Sequence, residues 1–391
     1  MRRSCPVCNF IGPHRILHRQ RFLDGPLGAG YNVAICTRCG AGFADGIPSQ
    51  NTLDRYYTKR SKYEYAQSGG AESPYDFRRF EAIVKQVVPF VHDKDATVLD
   101  VGCATGGLLA SLRKHGYTRL LGSDPSIGCS NAARRLHDIE VLPLRIQELE
   151  KLKPRFDLIL MVGVLEHLRE VRSAIAIVAN LLKPGGLIYC AQPDVQAFAD
   201  CVNAPYQQFS TEHVNFFSKS SMLRLMSSHG LKTQKTWRWM VEWRKGVHDS
   251  VISGIFGKEK SESRRAKRRR DQTTSVSLLR YLEMSRRADT GILRNIEKLI
   301  KSQEPLLVWG AGTLTRRLLA ESKLREANIV AFVDASPYAR IGKLAGRIVI
   351  APEQTVGRTE TILIMSKAFQ VEITQTIRKR LKLHNKVRRI F

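Results

Sequence analysis

The sequence has no run of about eighteen consecutive apolar residues, so no membrane-spanning helix is expected. Its first residues are basic but lack an apolar core and a cleavage site, which argues against a secretory leader. Cysteine is sparse for a secreted framework, with 8 in 391 residues, and a chain of this length does not depend on disulfides. These absences predict a cytoplasmic, reducing setting. Acid is scarce too: 36 Asp and Glu against 63 Lys and Arg leave a formal charge of +27. Such an excess suits nucleic acid, an anionic surface or a phosphorylated small molecule, or simply a basic host proteome. Much of it lies in Lys258–Arg270 and around Arg378–Arg380 and Arg388–Arg389. The first run lacks the interleaved aromatics of single-strand binders, and a solvated insertion remains its plain alternative.

What is present centres on Thr97–Leu109. Val98, Leu99 and Val101 read as a short strand around Asp100, followed by Gly102, Cys103, Ala104, Gly106 and an apolar helix start. Glycines let the backbone turn tightly and approach a ligand, and the helix start offers free N–H groups. Leu120–Ser123 is a second strand ending in Asp124, about twenty residues on, where such folds set an acid against ribose hydroxyls. Arg145–Leu149, with Gln147, enters a third connection. Phe156–Met161 is a buried strand leading to Glu166-His167. Leu181–Tyr189 reads as a helix end, a Pro-Gly-Gly turn and another buried strand.

This series resembles the class I S-adenosylmethionine-dependent methyltransferases over roughly residues 96–237. Ala104 stands where that family often has a glycine. The resemblance implies an α/β Rossmann-like domain. Its cofactor would lie against Asp100, Gly102, Cys103, Ala104, Gly106, Asp124 and Gln147, with Glu166 and His167 lining the cofactor and acceptor cleft.

Ahead of it, Cys5-Pro-Val-Cys8 and Cys36-Thr-Arg-Cys39-Gly40 are two CxxC knuckles, a four-thiolate set for structural zinc. A redox pair is the competing reading, but the βαβ context it needs is missing. Phe22-Leu23 and Tyr31–Ile35 would form a hairpin about Asp24-Gly25-Pro26. His14 and His18 are read as ordinary residues. Tyr56, Tyr57, Tyr63 and Tyr65 either cover the cofactor entrance or pack between domains. Helical spacing runs from Phe77 to Val91, and another helix is expected over Ser277–Ile300.

Behind the central part, Leu306–Thr313 is a strand and glycine turn, and Ile329–Asp334 a strand ending in an acid. Arg347–Ile350 and Thr361–Met365 supply further strands. Thr315 replaces the third glycine of a dinucleotide fingerprint, so no nicotinamide cofactor is expected. The domain reading is 1–58 zinc ribbon-like, 59–76 linker, 77–245 methyltransferase, 246–303 basic insertion and helix, and 304–391 a smaller Rossmann-like domain.

That order resembles a bacterial family of nucleotide-sugar C-methyltransferases. In it a Tyr-x-Glu-His segment serves proton transfer and the last domain frames the substrate cleft. Glu212 and His213 match that segment, while Ser210 stands at the tyrosine and Tyr206 is out of register. The expected acceptor is therefore an anionic nucleotide-linked sugar, deprotonated next to a ketone. RNA methylation, O- or N-methylation of another metabolite, and a non-catalytic zinc-bearing adaptor are the rivals. Cys129, Cys190 and Cys201 read as small buried residues.

Overall fold

A computed structural model describes residues 3–59, 70–152, 156–258 and 269–391. Tyr63, Tyr65 and most of the Lys258–Arg270 run lie outside the described residues.

The N-terminal module holds β1 (Arg15–Arg21), β2 (Gly30–Ile35), β3 (Gly42–Asp45) and α1 (Gln50–Lys59). The hairpin is there, but its first strand lies before Phe22-Leu23. Phe22 instead closes a longer loop, its N–H bonded to Ala29 O, and its ring is buried near Tyr31.

The central domain opens with α2 (Pro74–Val87), whose N-cap Ser73 forms a capping box with Asp76. That helix gives way to a short 3₁₀ turn at Val88–Phe90, where Pro89 cannot continue the α ladder. Then come β4 (Val98–Val101), α3 (Gly107–Lys114), β5 (Leu120–Ser123), α4 (Ile127–His137), β6 (Val141–Leu142), β7 (Phe156–Val162), α5 (Val171–Leu181) and β8 (Leu182–Pro193). A two-residue β9 (Asn215–Phe216) precedes α6 (Lys219–Ser227), β10 (Leu231–Arg244) and β11 (Val247–Lys258).

Seven of these strands make one sheet in the order β10-β11-β8-β7-β4-β5-β6. β4 to β8 run parallel, and β11 joins antiparallel to both β8 and β10. The register of 231–243 was not legible from sequence because β10 is an edge strand, mostly exposed or half-buried, with no strict alternation to read. The central sheet thus takes in Val247–Lys258, residues that the sequence had assigned to the insertion.

β9 belongs to the other sheet. It extends β1-β2-β3 as a fourth strand, with Gly42 opposite Phe216 and Phe43 opposite Asn215. One core therefore runs from Cys5, Cys36 and Phe43 of the N-terminal module to Leu165, Phe217, Met222 and Ile188 of the central domain. The N-terminal module is built into the central domain.

The long α7 (Thr273–Ser302) leads to β12 (Leu306–Trp309), α8 (Thr313–Glu321), β13 (Ile329–Val333), β14 (Lys343–Leu344), β15 (Arg347–Ile350), β16 (Thr361–Ile364), α9 (Gln370–Gln375) and β17 (Val387–Arg389). Their sheet order is β14-β15-β13-β12-β16-β17, parallel except at β14. The first module also meets this domain. Leu23 N–H donates to Arg316 O, and Ala345 N–H to the Asp24 carboxylate.

Candidate active site

The glycine turn after β4 is shaped by backbone demands. Gly102 and Gly106 have φ of +72° and +81°, conformations that L side chains rarely adopt. A Cβ on Gly102 would stand 2.7 Å from Val164 Cγ2, so the turn lies directly against the loop that carries Glu166 and His167. Ala104, at φ +49°, keeps the left-handed geometry in spite of its methyl group. Its N–H donates to Asp124 Oδ2 at 3.1 Å, and Ser126 N–H donates to Oδ1 at 3.0 Å. Asp124 is thereby fixed at the carboxyl end of β5. Gln147 lies in the first turn after β6, and its Oε1 is buried with no hydrogen-bond partner among the described residues.

Asp100 is buried, and desolvation, reinforced by Asp124, pushes its carboxyl up to about 8. Cys103 is buried against Gly122, and its thiol is pushed well above the ordinary range by burial. It supplies backbone to the turn, not a reactive sulfur.

Glu72 was assigned to the linker by sequence. Its carboxylate accepts from Thr105 Oγ1 at 2.7 Å and pairs with His137 Nε2 at 2.8 Å, beside the start of α3. No motif in the sequence signals it.

The two Glu-His pairs come together. Donor atoms of Glu166, His167 and His213 lie within 4.8 Å of one another, and the two imidazoles sit 5.0 Å apart edge to face. His167 Nδ1 is 3.1 Å from Glu212 O. That carbonyl can only accept, and the Nδ1–H tautomer of His167 would supply its donor. Tyr57 Oη is 3.0 Å from the same Nδ1, and Tyr56 Oη donates to Glu212 Oε1 at 2.8 Å. Both phenols come from α1, so Tyr56 and Tyr57 reach this cluster. Ser210, at the family's tyrosine position, accepts the N–H groups of Glu212 (3.2 Å) and His213 (3.0 Å) through Oγ, shaping the turn. Tyr206 stacks on His18 instead. Such a cluster can move a proton or hold a cation.

Val214 N–H donates to Glu166 O at 2.7 Å, and Asn215 Nδ2 donates to Leu165 O and Leu168 O at 2.6 and 2.7 Å. These bonds lock the two segments side by side.

Residues 75–236 match the family model described as "Methyltransferase domain". Over those residues the chain has the class I methyltransferase fold. Its seven-stranded sheet has that fold's parallel centre and antiparallel closing strand. Among curated proteins, the chain is 30% identical over 139 residues to a tRNA U34 carboxymethyltransferase of Pseudoalteromonas translucida, covering 34% of this chain and 43% of that one. It is 32% identical over 100 residues to a ubiquinone biosynthesis O-methyltransferase of Neisseria meningitidis, covering 24% and 42%. The chain thus spans less than half the length of these relatives. Among solved structures, N-methyltransferase NodS from Bradyrhizobium japonicum WM9 aligns at a TM-score of 0.39 and 17% identity, over 54% of this chain and 98% of that one.

The four knuckle cysteines also converge, their sulfurs all within 4.8 Å. Cys5–Cys39 and Cys8–Cys36 are 3.6 and 3.7 Å apart. A tetrahedron with metal–sulfur bonds of about 2.3 Å has edges of about 3.8 Å, so the set fits zinc. Hydrogen bonds among the sulfurs hold the Cys36 thiol low and the Cys39 thiol high. Asn9 and Gly40, one after each knuckle, take φ of +56° and +82°. Their N–H groups return to Cys5 O and Cys36 O.

Proposed function

We propose that the protein methylates a carbon next to a ketone in an anionic, nucleotide-linked sugar, using S-adenosylmethionine. The carrying observation is the convergence of Glu166-His167 with Glu212-His213 and the α1 phenols. When bound, S-adenosylmethionine would supply an activated methyl group. Gly102, Gly106, Asp124 and Gln147 would hold it, and the orphaned Gln147 acceptor supports that role.

The chain's own task is to remove a proton from the acceptor and steady the resulting enolate. His213 is the base. Glu212, with Tyr56 on its carboxylate, and Tyr57 hold its surroundings polar and ordered. The His167 ring lies 5.0 Å from that of His213, edge to face. Cys5, Cys8, Cys36 and Cys39 hold a structural zinc ion, and free thiols of this kind suit a reducing cytoplasm. The +27 charge favours a diphosphate-bearing acceptor.

The same charge, with the printed name of the tRNA-acting relative, supports RNA methylation as the second reading. Incubating the protein with methyl-labelled S-adenosylmethionine and a cell extract separates the two. Label in nucleotide sugars supports the first reading, and label in RNA replaces it with the second. Loss of transfer in His213→Asn, with cofactor binding kept, is the expected result for the base. Full activity in that variant would remove the role.

A further inference from the structure

The sequence offered no reason to notice Arg3, which precedes the first knuckle. Its side chain is only 4% exposed, yet its guanidinium faces backbone carbonyls from three separate segments. Nη1 donates to Val214 O at 3.2 Å and to Ala44 O at 3.4 Å. Nη2 donates to Leu168 O at 3.2 Å and to Arg169 O. The Arg3 backbone N–H is itself tied to Asp45 Oδ1 at 2.7 Å, which fixes the root of the side chain.

These partners are particular. Val214 follows His213 directly, and Leu168 follows His167. Ala44 lies on β3, whose pairing with β9 carries the chain out of the Glu212-His213 turn. One planar group therefore grips both halves of the acid–base cluster and the strand that supports one of them. A guanidinium can do this because its five N–H donors spread across a rigid plane, whereas an ammonium gathers its donors at one point. Burying a cation is costly, and an apolar side chain would fill the space without that cost. What the charge adds is a fixed separation between two loops.

We infer that Arg3 is a positioning residue for the proposed reaction, holding the Glu166-His167 loop and the Glu212-His213 turn at working distance. It lies two residues before Cys5, so ordering of the knuckles also orders Arg3. The four-cysteine module thus reaches the chemistry through Arg3 as well as through Tyr56 and Tyr57 of α1. This inference rests on reading the Glu-His cluster as catalytic.

The test compares Arg3→Ala and Arg3→Lys with the wild-type full chain carrying its zinc. Methyl transfer, S-adenosylmethionine affinity, zinc content and the imidazole resonances of His167 and His213 are measured on each. Transfer should fall by about a hundredfold in Arg3→Ala, in line with the cost of a misplaced reacting group. Cofactor affinity and zinc content should stay at wild-type values. Millimolar guanidinium should restore part of the activity to Arg3→Ala, and Arg3→Lys, which keeps charge and bulk, should remain slow. Wild-type transfer in both variants would overturn the inference. So would a loss of transfer that tracks a loss of zinc or cofactor binding, since that marks a purely structural role. If the wild-type protein transfers no methyl group to any acceptor, the proposed function fails separately. The imidazole resonances then decide for Arg3: they should shift or broaden in Arg3→Ala, and unchanged spectra would refute the positioning role.

Discussion

Ala104 keeps the left-handed turn that glycine takes without strain, a conformation costing an L residue roughly 1–2 kcal/mol. What holds it there is the bond from its N–H to Asp124, which fixes the glycine turn to the end of β5. Asp100 shows the opposite balance. Burial raises its pKa to about 8, so the folded chain keeps a proton that the unfolded chain releases near pH 4. Between those values the unfolded state binds fewer protons, and stability falls as pH rises. Asp100→Asn should flatten that fall, as seen in denaturation midpoints taken from pH 5 to pH 8. An unchanged slope would mean that Asp100 is ionised in the fold. At this scale the sequence displayed the residues but not their states. A carboxylate in a strand motif looks the same whether it is solvated or sealed.

At the scale of elements, the strands and helices of the central domain were largely legible from apolar runs and glycine turns. Val98–Val101, Leu120–Ser123 and Phe156–Val162 fall where the sequence puts them, to within a residue. β9 was not legible, because two residues have no periodicity. It exists because Phe43 and Gly42 offer β3 as a partner. Asp271 is another such case. Its carboxylate caps α7 through Thr273 and Thr274 and accepts from Ser218, the N-cap of α6. Its own N–H donates to Cys39 O, and a Cβ on Gly40 would stand 1.9 Å from Asp271 O. One residue therefore joins two helix starts to the second knuckle. Asp271→Ala should cost about 2 kcal/mol or more, since a cap alone is worth up to that. Urea denaturation would read it, and a loss below 0.5 kcal/mol, ordinary for a surface site, would show the hub to be redundant.

At the scale of the whole molecule, the N-terminal and central sheets share one core, so the N-terminal module cannot act as a detached binding unit. Cys36 and Cys39 lie in the same apolar cluster as Phe217 and Met222. Removing the proposed zinc ion with a chelator should lower the unfolding temperature of the full chain and abolish methyl transfer. The two should be lost together, and zinc should restore both. Retained transfer after complete zinc loss, checked by metal analysis, would show that the knuckles are dispensable.

The sequence by itself determined the α/β class, the glycine turn after β4, the four thiols and both Glu-His pairs. Each is a local pattern in which spacing of a few residues dictates geometry. Only the tertiary structure decided that the two pairs meet, that α1 brings Tyr56 and Tyr57 to them, and that Arg3 spans the gap. Those contacts join residues more than forty positions apart. Their geometry follows from how the sheets pack, and no short window of sequence carries that.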